Sequence, residues 1–300
     1  MRLLAFLGRR WQGRQASGAQ GSIRKYDQAP RAQDPAATGG RRPRSWASPG
    51  ESRRPRGARG ELRLIPIEGL HEIREGDDLG DLIAAAATLE DRDVVVVAQK
   101  AVSKAEGRIV RLADVDPSAR ARELAGEEDP RRLEVILGEA KRIVRARPPL
   151  VIAETRHGFV CASAGVDASN APEADTVVLL PLDPDRSAAG IRERLRELAG
   201  RDVAVIVSDS FGRPWRTGIV DVAVGVSGLR PLIDYRGQTD RVGYELHATV
   251  VAVADEIAAA ADLVRGKTSA VPAVIVRGLE VAGKGTARDL IMPAERDLFA

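Results

Sequence analysis

The segment Val205-Ile206-Val207-Ser208-Asp209-Ser210-Phe211-Gly212-Arg213-Pro214-Trp215-Arg216 sets an acid, a hydroxyl, a glycine turn and two arginines directly after an apolar run. Open α/β sheets hold ligands at such strand ends. Asp209 and Ser210 offer hard oxygen ligands suited to Mg2+ or Mn2+, and Arg213 and Arg216 match phosphate or carboxylate oxygens. The same residue types also suit a turn with an Asp cap and an Arg–carboxylate pair, and residue type alone does not choose. A second stretch, 154–170, is dense in Gly, Ala and Ser, which let backbone approach a ligand closely, and it ends in Asp167 and Asn170. Asp167 is thus a candidate second metal carboxylate. A third patch, 99–107, follows a Val-rich run with Gln99, Lys100, Ser103 and Lys104, which suit triphosphate oxygens or a solvated surface turn.

Other reactive types read more plainly. His157, one of three histidines, has no partner near in sequence and is expected to be a hydrogen-bonded structural residue. The single cysteine, Cys161, sits between Val160 and Ala162 and reads as a small buried side chain. Two stretches imitate a phosphate-binding P-loop and fail it. Gly266-Lys267-Thr268 lacks the opening glycine, which is Ala261, and follows a helix-like segment. The other, 278–284, ends in Lys284 with Gly285 where Ser or Thr is required. A backbone nest for phosphate at either place stays open.

Elements that would position these groups begin at Leu62. Strands are expected over 93–98, 150–154, 176–180, 203–207, 248–254 and 273–276, all rich in Val, Ile or Leu. Helices are expected over 79–87, 130–145, 187–199 and 256–265. In the second helix Leu133, Ile136, Leu137, Ala140, Ile143 and Val144 would form one stripe. Ser187 and Asp255 are candidate N-caps, with Gly200 and Gly266 as terminators. The alternation predicts a mixed α and β domain over 61–300.

Residues 1–60 differ in kind. They carry 14 Lys and Arg against 3 Asp and Glu, leaving 32 against 40 in the rest, so the overall charge of +3 conceals an acidic body. Their Arg, Gly, Pro and Ser content predicts a disordered extension. Its apolar stretch at Leu3, Leu4, Phe6 and Leu7 is too short for a secretory signal. No apolar run approaches the ~18 residues of a membrane span. One cysteine excludes an internal disulfide, and a cytoplasmic protein is expected.

Several blocks, taken in order, resemble the coenzyme F420-0:L-glutamate ligase family. They are Pro66-Ile67-Glu68-Gly69-Leu70, Glu75-Gly76-Asp77-Asp78-Leu79, Ser103-Lys104-Ala105-Glu106-Gly107, Ala164-Gly165-Val166-Asp167-Ala168-Ser169-Asn170 and Asp209-Ser210-Phe211-Gly212-Arg213, followed by Asp234-Tyr235-Arg236-Gly237, Ala254-Asp255-Glu256 and Val276-Arg277-Gly278-Leu279. The resemblance covers about 62–300. It implies a two-part α/β fold without a P-loop, forming an intertwined homodimer. It implies GTP, Mg2+ or Mn2+, and K+, with L-glutamate joined to the lactyl carboxylate of coenzyme F420-0 through an acyl phosphate. Further gamma-linked additions are left open.

By motif, the resemblance places metal ions on Asp167, Asp209 and Ser210, where Ser210 stands at a usual Thr. Arg213 falls in the same catalytic block. The nucleotide would meet Glu68, Gly69, Leu70, His71, Gln99, Lys100, Lys104, Asn170, Gly266, Lys267 and Thr268. His71 replaces a usual Pro, and Lys267 stands where the family often has an acidic metal ligand. Some bacterial relatives carry a C-terminal flavin-binding domain, which is expected to be absent here. Two other readings are a related ligase acting on another carboxylate and a nucleic-acid-binding protein using the basic tail.

Overall fold

The computed structural model describes residues 61–297, so the expected extension over 1–60 lies outside the described residues. A five-stranded sheet is built around β2 (Val94–Ala98), whose four valines are all buried. On one side β2 pairs antiparallel with β12 (Ala273–Arg277), which pairs antiparallel with β1 (Arg63–Ile67). On the other it pairs parallel with β8 (Ala204–Arg213), which is followed antiparallel by β9 (Arg216–Ser227).

Period-two alternation gives this sheet two apolar faces. Val95, Val97, Val205, Val207 and Ile275 pack against α1 (Leu79–Ala86) and α5 (Pro184–Ala199), chiefly Ile83, Ala188 and Leu195. Val94, Val96, Ile206, Val274 and Val276 pack against α6 (Val253–Arg265) through Ala254, Ile257, Ala258 and Ala261. Each fully buried Val or Ile contributes roughly 1.5–3 kcal/mol of burial free energy.

A second, smaller core joins α3 (Ala119–Ala125) and α4 (Pro130–Glu139) to two small sheets. One sheet is β4 (Ala140–Arg147), β5 (Leu150–Thr155) and β6 (Val160–Ala162); the other pairs β3 (Ile109–Arg111) with β7 (Thr176–Val178). Leu124, Leu133, Ile136, Val151, Ala153 and Val177 fill its centre. The expected mixed α/β class is therefore what forms.

Several boundaries differ for identifiable reasons. The helix expected over 130–145 stops at Glu139, after Gly138, and the chain turns into β4. There β-branched Ile143 faces Ala153, while Lys141 and Arg142 both bond Glu154 across the strands. The strand expected over 248–254 shrinks to β11 (Val250–Val251), paired with β10 (Ile233–Asp234). From Val253 the helical spacing of Ala254, Ile257, Ala258 and Ala261 wins. Asp255 is accordingly inside α6 and accepts from the Ala223 N–H at 2.9 Å, and Ala252 takes the cap position. Helix α5 starts before Ser187, with Asp183 capping the Arg186 N–H and Pro184 in the first turn. Gly200 and Gly266 terminate their helices as expected.

Candidate functional site

Because β2 and β8 run parallel, their C-terminal ends reach the same edge of the sheet, where a crevice forms in open α/β folds. Strand β2 passes without a loop into α2 (Gln99–Ala105), which puts Gln99, Lys100 and Lys104 at that edge. Neighbouring β8 delivers Ser208, Asp209 and Ser210 as continuing strand. The glycine turn expected near Gly212 is displaced to Pro214-Trp215, and Trp215 takes the positive φ of 54°. An open cleft lies between them, also lined by Leu70, His71, Asn170, Gly266, Lys267 and Thr268.

On the α2 side, Lys100 Nζ donates to Asp167 Oδ2 at 2.6 Å and to Ser169 Oγ at 2.7 Å. Asp167 is fixed by a bridge to Val178 and also accepts from the Ser169 N–H at 2.8 Å. Desolvation opposes its ionisation, but Lys100 and Ser169 outweigh it and hold the carboxyl below the usual range. Asp209 differs. Burial pushes its carboxyl up to about 6, and the Asp221 and Asp167 charges add to that, against a backbone bond from Ser210 and the pull of Lys100. Burial, with Asp209 nearby, also pushes the Cys161 thiol up to about 12, which fits its reading as an inert packed side chain.

Gln99 and Lys104 are already engaged. Gln99 Nε2 donates to Ser103 Oγ and to the Leu179 carbonyl, both at 2.7 Å, and so ties α2 to the chain after β7. Lys104 Nζ bonds Glu72 Oε1 at 2.5 Å. His71 is exposed, with Nδ1 2.9 Å from the Glu72 carbonyl.

The opposite side of β8 holds a cluster that the sequence reading passed over. A register shift between Val207 and Ser208 sets Ser210 opposite Asp221 of β9. Asp221 is 1% exposed and accepts from Ser208 Oγ at 3.0 Å and Ser210 Oγ at 2.6 Å. Buried Arg265, at the end of α6, bonds both Asp221 and Ser208. Burial disfavours the Asp221 charge, but Arg265, Ser210 and Lys267 together hold its carboxyl below the usual range. One signal could have found it: Asp221 is a lone acid inside the apolar alternation of 219–226.

Most expected residues meet here, with clear exceptions. Glu68 and Gly69 lie exposed just before the cleft, Gly69 with φ 78°, and Leu70 and His71 reach it. Asp167 reaches it through Lys100. Arg213 stands apart at the end of the β8–β9 hairpin, where Nη2 donates to the Thr217 carbonyl. Gly266-Lys267-Thr268 follows helix α6, and 278–284 follows β12 with no α-helix after it, so neither has the strand–loop–helix setting of a P-loop. His157 is structural, with Nε2 2.9 Å from the Pro181 carbonyl and the ring stacked on Phe159.

The donor chemistry suits one hard divalent cation sharing its shell with a ligand. Among the described residues no group of three or more His, Cys, Asp or Glu stands placed to hold a metal. Asp167 and Asp209 supply two carboxylates, which is the usual protein share for Mg2+ when phosphate oxygens and water complete the octahedron. Burial, with smaller contributions from the Asp221 and Asp167 charges, raises Asp209, and a cation bound there would offset both.

Comparison with known proteins agrees with this architecture. The profile of F420-0:Gamma-glutamyl ligase matches residues 69–278. The Coenzyme F420:L-glutamate ligase of Methanopyrus kandleri is 49% identical over 79% of this chain and 97% of its own length. Those of Methanothermobacter thermautotrophicus and Archaeoglobus fulgidus are 45% and 43% identical, each over 79% of this chain and over 98% and 96% of their own lengths. No described helix is long and apolar enough to cross a membrane. With a profile match across both cores and every cleft-lining segment, the chain belongs to the F420-0:Gamma-glutamyl ligase family.

Proposed function

We propose that this protein joins L-glutamate to the lactyl carboxylate of coenzyme F420-0 at the expense of GTP, through an acyl phosphate. The observation that carries this reading is the meeting of Lys100, Lys104, Asp167 and Asp209 at the ends of two parallel strands, beside the exposed 68–71 segment. A divalent cation on Asp167 and Asp209 would neutralise phosphate charge and keep the transferring group in line.

The residues do the remainder. Lys100 sits beside that acid pair with a side chain 22% exposed, close enough to turn toward phosphate oxygens when a ligand enters. Lys104, paired with Glu72, adds positive charge on the same wall. Leu70 and His71 line the same cleft. In the first step a carboxylate oxygen of the acceptor bonds the γ-phosphorus as the β,γ-bridging bond breaks and GDP leaves. In the second, the glutamate amine attacks the acyl carbon, phosphate departs with the C–O bond, and the amine loses its proton to give the amide.

A homodimer is part of this reading, supported by the β8–β9 hairpin, where Trp215 is 82% and Ile219 60% exposed. The reaction is tested by supplying GTP, Mn2+, L-glutamate and the F420-0 precursor and following GDP release together with the deazaflavin mass. A gain of one glutamyl unit that disappears in Asp209→Asn is expected. GDP release without that gain would send the reading to another carboxylate acceptor.

A further inference from the structure

Asp209 and Ser210 are adjacent on a strand and point to opposite sides of it. Ser210 turns toward Asp221, so Asp209 takes the other side of the strand, with Lys100 and Asp167 among the charges that act on it. The cleft therefore has two oxygen-rich loci divided by β8. The second is already filled. Lys267 Nζ lies 2.6 Å from Ser210 Oγ, 3.0 Å from Asp221 Oδ1 and 2.9 Å from Asp262 Oδ1. An ammonium has three N–H donors, and three oxygens accept them.

The charges on the two sides differ. Asp221 and Asp262 are balanced by Arg265 and Lys267, so the Ser210 side is neutral with nothing bound. On the other side Lys100 pairs Asp167 and Lys104 pairs Glu72, so the Asp209 carboxylate adds an excess negative charge. A divalent cation gains from the second arrangement and would meet a resident positive charge in the first. The loop makes this possible: Gly266, with φ 61°, ends α6 and turns the chain so that Lys267 comes back toward β8.

We propose that Lys267 is a built-in cation that takes the place of a metal ion on the Ser210 side, so that this enzyme uses one divalent cation per active site, on Asp167 and Asp209. This rests on the GTP- and metal-dependent reading above. It also makes Lys267 a positioning residue that fixes Ser210 and Asp221, with no donor left over for phosphate.

The test is the stoichiometry of Mn2+ binding to the full chain with a non-hydrolysable GTP analogue, followed by calorimetry and by the EPR signal of free Mn2+. Wild type should bind one Mn2+ per chain and Lys267→Glu two, with the second ion raising the melting temperature of the variant and leaving wild type unmoved. Two ions on wild type would overturn the proposal while leaving the ligase reading intact; none would overturn both. Lys267→Gln keeps the fold testable should the Glu variant unfold. It should retain one Mn2+, lose at least about tenfold in kcat, and regain part of it with ammonium or K+ in the tens of millimolar. A Gln variant with wild-type kcat, or one that monovalent cations leave unchanged, would sink the idea.

Discussion

Replacing Asp209 by Asn in metal-free protein should stabilise the fold at neutral pH. The carboxyl is pushed from 3.8 up to about 6, so the folded state binds this proton more tightly than the unfolded chain does. The sign follows from that difference. The group's contribution is fully favourable below about pH 4 and is lost as pH rises toward 6; above it the native state carries an ionised carboxylate that it disfavours. A shift of about two units is worth ~3 kcal/mol, and solvent on the open side of the cleft reduces this to about 2 kcal/mol.

Asn keeps the shape and removes the charge. For a domain of this size, about 2 kcal/mol corresponds to a rise of roughly 4–8 °C in melting temperature. Thermal unfolding in EDTA at pH 7.5 and pH 4.5 measures it: the gain should be fully present at the first pH and fall to about a third of that at the second. Adding Mn2+ should then raise the wild type and leave the variant where it is. A variant less stable than wild type at pH 7.5, or a gain of the same size at both values, would refute the claim that Asp209 is a destabilised carboxylate.

Asp221→Ala should destabilise by about 3–5 kcal/mol in urea titration, because it strands Arg265, which is 5% exposed, without its carboxylate. Gly225→Ala should cost about 1–3 kcal/mol by the same measurement, since the added Cβ would stand 2.2 Å from the Pro184 carbonyl oxygen at the start of α5. Cys161, with its thiol pushed up to about 12 by burial, should resist alkylation by iodoacetamide at pH 8 in folded protein and react at once in denaturant.

Local chemistry explains which parts of this molecule could be read from its residues. Val94 to Val97 are apolar on both faces, so they could only be a central strand, and β2 formed where expected. Gly200 and Gly266 ended their helices because the positive φ they adopt is costly for other residues. The 130–145 stretch misled because its apolar spacing fits a helix, whereas its fate past Glu139 depends on Glu154, a residue it meets only in the folded chain. The site divides the same way. Asp209, Lys100 and Lys104 were legible because each follows an apolar strand. Asp221, Arg265 and Asp262 were not, since each follows no motif and their meeting requires both the β8–β9 register and the end of α6.

That register is also what gives the cleft its division of labour. Without the shift between Val207 and Ser208, Ser210 would face a different β9 residue, and Asp221 would not sit between the two serines. One extra residue in β9 thus places a charge-balanced, pre-filled network on one side of β8. On the other it leaves Asp209, disfavoured by burial, beside an Asp167 that Lys100 and Ser169 hold. The neutral network can be rigid because Asp221, buried at its centre, is held at once by Ser208, Ser210, Arg265 and Lys267. On the proposed reading, Asp209 stays disfavoured until a ligand brings cation and phosphate together. On the proposed reading, binding energy would then be concentrated where charge develops in phosphoryl transfer, on Asp167 and Asp209, with the far side of the strand holding that geometry still.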